Sequence, residues 1–180
     1  MIIGITGRSG VGKNYVAQKL FPTAHHIDID KIGHDSIQQP ENIIKIIDTF
    51  GLGAVTDDNG NLSRTKLGDV VFNNRDKHEQ LKDITWPYMK NQLSLSLKEY
   101  MVQRDNMFVT YDLVLNWILL PLTEFWDMCE VKILVTRKEG LIYPSLADRD
   151  GICEEKYKLR DRNSPDFGQF KYDFTIHNER

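Results

Sequence analysis

Cysteine is scarce: the chain holds two, Cys129 and Cys153, at a spacing unlike that of metal-binding pairs. That argues against a disulfide framework or a cysteine-ligated metal and suits two reduced thiols in a cytosolic protein. No charge excess is present either. Lys and Arg number 23 against 26 Asp and Glu, the net charge is −3 and the pI is near 5.9. Such a balance gives no long-range pull toward a nucleic-acid polymer or an anionic membrane. Long apolar runs are missing as well. The best candidate, "LVLNWILLPL" (113–122), is broken by Asn116 and Pro121, short of the roughly 18 residues a membrane helix needs. The opening "MIIGITG" lacks the basic segment of a signal peptide. Repeats, low-complexity tracts and linkers are likewise lacking. A soluble, cytoplasmic protein with a single core is therefore expected from these 180 residues.

What is present alternates between two periodicities. "IIGIT" is a short β-branched run suited to a buried parallel strand. "AHHIDID" is a second strand ending in acids, "MFVTYDL" (107–113) a third, "VKILVT" (131–136) a fourth and "YDFTIHN" (172–178) a last. Between them lie helical patterns in "NYVAQKLF", "ENIIKIIDTF", "LSRTKLGDVVF", "KHEQLKDIT", Tyr88 to about Arg104, and the charged "EEKYKLRDR". Strands alternating with helices predict an α/β fold with a mainly parallel sheet flanked by helices.

The densest signal is "GITGRSGVGKNYVA" (4–17), in which Gly7, Gly12 and Lys13 give G-x-x-x-x-G-K. It follows a predicted strand and precedes a predicted helix, the context of a phosphate-binding loop. Glycines let backbone N–H groups turn inward around phosphate oxygens, and the helix N-terminus adds a favourable dipole. Gly7, Arg8, Ser9, Gly10, Val11, Gly12, Lys13, Asn14 and Tyr15 are thus the candidate nucleotide-binding residues, with Lys13 reaching the β- and γ-phosphates. A Ser or Thr that ligates Mg²⁺ normally follows the lysine. Asn14 stands there instead; its carbonyl is also a hard neutral oxygen, one atom further out, so a water-mediated Mg²⁺ contact is expected.

The rest of the chain resembles the dephospho-CoA kinase family. "HIDIDKIGHD" (26–35) is similar to that family's I-D-A-D-K-I-A-H segment, and "FGLGAVTDDNGNLSRTKLGDVVFNN" (50–74) to the segment after it. "LKDITWPYM" (81–89) falls where the family has a His-Pro pair. "LADRDGICEEKYKLR" (146–160) resembles the family's lid, and "YDFTIHN" its closing strand. The order holds from Met1 to Asn178. This resemblance implies transfer of the γ-phosphate of ATP, with Mg²⁺, to the ribose 3′-hydroxyl of dephospho-CoA. It also implies one P-loop kinase domain: a core at about 1–35 and 105–180, a helical acceptor-binding part at about 36–104 and a lid at about 138–165.

Residue by residue, the resemblance implies Asp30 as the base or orienter of the acceptor hydroxyl, at the end of the second strand. Arg64 and His34 fall in matched segments on the acceptor side; a solvated charge and a packing role are the ordinary alternatives. Arg149 matches a lid arginine and is expected, from its R-D-G turn, at the start of a helix; Arg160 is the second such match. Asp112 matches a strand-end aspartate in part. Four departures accompany these matches: Asn14; Trp86 in place of the family's His; no glutamate after the third strand; and Pro144 where a lid arginine is expected, which makes "YPSLAD" less helical. Trp86 either stacks on the acceptor or fills the core. Two alternatives follow. The loop is also similar to that of phage-type deoxynucleoside monophosphate kinases, so the small-molecule acceptor is dephospho-CoA or a nucleotide. A catalytically inactive nucleotide-binding module is the other.

Overall fold

The computed structural model describes the 180 residues except 73, 107–110, 152, 163 and 180, and leaves out the side chains of 149, 150, 156, 159 and 160. Two compact units emerge: Met1–Asp28 with Val102–Arg180, and Ile29–Met101.

The first unit is built on a five-stranded sheet in the order β2-β3-β1-β4-β5, every pairing parallel. Its strands are β1 (Ile2–Thr6), β2 (His25–Asp28), β3 (Leu113–Asn116), β4 (Val131–Arg137) and β5 (Phe174–Asn178). All five residues of β1 are buried, as expected of a central strand covered on both faces. Gly4 is part of that covering: a Cβ there would meet Cys129 Sγ at 2.7 Å and Trp126 Cζ3 at 2.8 Å. Helix α1 (Lys13–Leu20) follows β1, and α7 (Glu139–Asp150) and α8 (Glu154–Arg162) lie between β4 and β5. Ile3, Ile5, Val16, Ala17, Val114, Ile133, Val135, Ile142 and Leu146 form one core cluster. Each aliphatic side chain buried there contributes about 1.5–3 kcal/mol of transfer free energy.

The third strand is not where the sequence pattern placed it. Leu113 pairs with Ile2 and Asn116 with Ile5, so the paired segment is "LVLN", and 107–110 lie outside the described residues. Leu113, Val114 and Leu115 are buried in the middle of the sheet, whereas Tyr111 is exposed. The strand is set by which apolar residues can be covered on both faces. Similarly, β2 stops at Asp28, and Asp30 opens α2 (Ile29–Ile37), where an acid in the first turn suits the helix dipole.

The second unit is helical: α2, α3 (Pro40–Phe50), α4 (Leu52–Val55), α5 (Arg64–Phe72) and most of α6 (Arg75–Asp105). Pro40 opens α3 at a position where its missing N–H is not needed. Ile46, Val55, Leu67 and Val71 form this unit's own core. Two separate helices were expected around Trp86–Pro87, yet α6 runs through as one of 31 residues. Proline removes one i→i−4 bond. The buried stripe Thr85, Met89, Leu93, Leu97 and Tyr100 on α6 holds the helix together across it. Among the described residues, no helix is long and apolar enough to cross a membrane.

Candidate active site

In a parallel sheet, ligands bind beyond the carboxyl ends of the strands where the strand order reverses. Here that point is β1, flanked by β3 and β4, and the loop that leaves it is Gly7–Gly12. Gly10 has φ +81° and Gly12 φ +87°, a left-handed conformation that costs other residues about 1–2 kcal/mol. Space excludes a side chain as well. A Cβ on Gly10 would lie 2.8 Å from Ile142 Cγ2 and Leu146 Cδ1 of α7, and one on Gly12 would collide with the amide of Asn178. That amide donates to the Val11 carbonyl at 2.9 Å, tying the loop to the last strand. Arg137, at the end of β4, donates to the Gly10 carbonyl at 3.2 Å and to Ser145 Oγ at 2.8 Å.

Gly12 caps α1 without a side-chain hydrogen bond, so the first-turn N–H groups are not taken up by a cap. The Lys13 ammonium donates to the Gly7 and Arg8 carbonyls at 3.0 and 3.1 Å. Val11 is buried, Ser9 is half-buried and Tyr15 is exposed on α1, with Lys19 Nζ 5.7 Å from its ring centre. A chain of backbone donors, a helix N-terminus and one ammonium is the donor set a polyphosphate requires.

Asn14 meets a partner that the sequence did not nominate. Asn116 Nδ2 donates to Asn14 Oδ1 in a short hydrogen bond. Asn116 ends β3 level with Ile5 of β1 and Asp28 of β2, so it stands at the carboxyl edge of the sheet, from which the glycine-rich loop leaves β1. Its own Oδ1 is buried and accepts no hydrogen bond from any described residue. Asp112, by contrast, precedes β3 and belongs to the opposite edge, where its Oδ1 takes a hydrogen bond from the Met1 ammonium at 2.8 Å. The observed bounds of β3 explain the correction: the strand-end position nominated at Asp112 belongs to Asn116, four residues on. Four residues of strand span about 13 Å, too far for Asp112 to reach the loop.

Arg8 is the most heavily bonded side chain of the loop. Its Nε and Nη2 donate to Asp161 at 2.7 and 2.6 Å, Nη1 and Nη2 to Glu139 at 3.2 Å each, and Nη2 to Tyr157 Oη at 3.3 Å. Asp161 foremost, then Glu139, raises the affinity of this guanidinium for its proton above the ordinary range, against the cost of burial. Burial in turn raises the Tyr157 hydroxyl. The loop is thus fastened to both α7 and α8, through residues 131 and 153 positions away in sequence.

The expected lid sequence holds two helices, α7 and α8, and "YPSLAD" lies inside the first. Pro144 sits inside α7, which Ile142 and Leu146 anchor by burial against Gly10. Gly151, with φ +62°, is the C-cap of α7. Arg149 therefore belongs to the last turn of α7 and not to the start of a helix, because the glycine of R-D-G ends a helix in the left-handed conformation. Its side chain, like that of Arg160, lies outside the described residues.

Three nominated residues belong to the helical unit together with Asp30. Arg64 Nη2 lies 2.6 Å from His34 Nε2. A guanidinium only donates, so Nε2 accepts and the imidazole proton resides on Nδ1. Trp86 is half-buried on α6. A cavity of about 480 Å³ in this unit is lined by Gln39, Asn42, Lys45, Pro87, Tyr88 and Asn91 and by none of the nominated residues.

Among the described residues, no cluster of three or more His, Cys, Asp or Glu could hold a metal ion. The donor set at the end of β3 nevertheless fits a hydrated divalent ion: two hard amide oxygens, one buried without a hydrogen-bond donor.

Comparison with known proteins agrees with this geometry. The family model for dephospho-CoA kinase matches residues 1–162. A dephospho-CoA kinase of Dehalococcoides mccartyi is 31% identical over 164 residues, covering 88% of this chain and 78% of the relative. In overall fold the chain is similar to a Thermus thermophilus protein of known crystal structure, with a TM-score of 0.75 at 22% identity, covering 100% of this chain and 89% of that one. It is also similar to a dephospho-CoA kinase from Campylobacter jejuni, with a TM-score of 0.58 at 20% identity, covering 99% and 88%. The chain, with its glycine-rich loop and parallel sheet, belongs to the dephospho-CoA kinase family.

Proposed function

We propose that this protein is a cytosolic kinase that transfers the γ-phosphate of ATP to the ribose 3′-hydroxyl of dephospho-CoA, giving coenzyme A. The observation that carries the reading is the family match over residues 1–162, which includes the phosphate loop, Asp30, Arg64 and Arg149. The loop N–H groups and the N-terminus of α1 receive the phosphate oxygens, and Lys13 turns from the Gly7 and Arg8 carbonyls to the β- and γ-phosphates. Mg²⁺, when bound, neutralises charge developing across the β- and γ-phosphates. Asp30 takes the proton of the acceptor hydroxyl as the acceptor oxygen bonds to the γ-phosphorus and the bond from that phosphorus to the β-phosphate oxygen breaks, releasing ADP. Arg64, its guanidinium fixed by His34, anchors the acceptor in the helical unit, and Trp86 stacks on it. The α7–α8 segment is the lid, contributing Arg149 and excluding water.

The test is ADP release from MgATP in a coupled assay, offered dephospho-CoA and a panel of deoxynucleoside monophosphates, with Asp30→Asn as control. Turnover on dephospho-CoA that falls by about 10²-fold or more in the variant is expected, the scale of a lost general base. Turnover on a monophosphate alone would move the protein to the nucleotide kinases. ATP bound without turnover on any acceptor would mark a binding module.

A further inference from the structure

The contact between Asn14 and Asn116 joins two positions that the sequence treats as unrelated, 102 residues apart. A buried carbonyl oxygen without a donor is unfavourable, and such an atom calls for a water or ion to fill it. Asn116 Oδ1 is that atom. It is held beside the residue that follows the phosphate-loop lysine, because the other half of the same amide is spent on Asn14.

Two consequences follow from the chemistry of an amide pair. An amide oxygen attracts a divalent ion only through its dipole, and such ions shed water reluctantly. The pair itself therefore supplies no net charge to draw a free ion, and among the described residues no group of three or more His, Cys, Asp or Glu could hold one. The triphosphate brings that charge. We propose that Asn116 is the positioning residue of the metal end of the site. It fixes the Asn14 carbonyl and accepts a hydrogen bond from the inner water shell of a divalent ion that enters only as its nucleotide complex. The inference rests on the kinase reading and names what the chain contributes at the metal.

Mn²⁺ titration followed by electron paramagnetic resonance tests it without turnover, on the full chain, with and without a non-hydrolysable ATP analogue. Wild-type protein is expected to leave Mn²⁺ free when the analogue is absent and to hold it when the analogue is bound. Asn116→Ala is expected to weaken Mn²⁺ in the ternary complex by about 10-fold or more, the usual loss when an outer partner of a metal site is removed. Its metal-free affinity for the analogue should stay within twofold. Asn116→Asp, of nearly the same shape, guards against a folding defect and should gain Mn²⁺ binding without nucleotide. Tight Mn²⁺ binding by the free wild-type protein would overturn the proposal, as would ternary affinity indifferent to both substitutions. Failure to hold the analogue at all would overturn the kinase reading along with it.

Discussion

Gly12→Ala tests how the phosphate loop is kept in shape. The substitution asks an alanine to adopt φ +87°, at a cost of about 1–2 kcal/mol. It also drives the new methyl into the Asn178 side chain, which must swing away and abandon the Val11 carbonyl. Losing that buried hydrogen bond costs about 1–2 kcal/mol more, so roughly 3 kcal/mol in total is expected. Asn178→Ala alone loses the hydrogen bond without the strain, about 1.5 kcal/mol. The two changes should not add. In the double variant the bond is lost once and the methyl meets open space, so the cost is about 3 kcal/mol where a simple sum gives about 4.5. Urea unfolding of the four proteins, read at constant slope, measures the cycle. A double variant within about 0.5 kcal/mol of the sum would refute the collision and leave backbone strain as the whole effect.

Two further outcomes follow from contacts of the same unit. Burial pushes the Cys129 thiol up to about 12, so at pH 8 only about one molecule in 10⁴ carries the thiolate; Ellman's reagent should titrate exposed Cys153 alone until the protein is unfolded, and two fast equivalents would contradict the packing of Cys129. Asp161→Asn should cost about 1 kcal/mol, because it breaks the shorter, less exposed pair of Arg8, whereas Glu139→Gln should cost a few tenths. Thermal unfolding of both variants in low salt checks the ranking, and equal losses would refute it.

Much of this fold was legible locally. The run "IIGIT", the glycine pattern and the helix after it are set by neighbours within a dozen residues, so the loop and α1 fall where the pattern puts them. Proline was the misleading signal. Pro87 and Pro144 each argue for a helix break, yet the stripe from Thr85 to Tyr100 and the pair Ile142 and Leu146 outweigh one missing hydrogen bond apiece. R-D-G is ambiguous in another way, since glycine serves a turn before a helix as well as the cap after one, and Gly151 is the cap. The Arg8 contacts with Glu139, Tyr157 and Asp161 had no local signal, because their partners come from helices more than 130 residues on.

The hardest segment to read is also the one that changes the chemistry. "MFVTYDLVLN" contains two overlapping apolar stretches, and periodicity alone does not say which one enters the sheet. The expected strand, 107–113, takes the first stretch. Burial between β1 and β2 selects the second. With the paired segment at Leu113–Asn116, the acid lies at the opposite edge of the sheet and an amide stands at the loop end. Asn14 then ceases to be an isolated departure. The Asn116 amide offers a donor to the Asn14 carbonyl. The two asparagines are joined by one hydrogen bond, and the Asn116 oxygen left over is buried beside the glycine-rich loop.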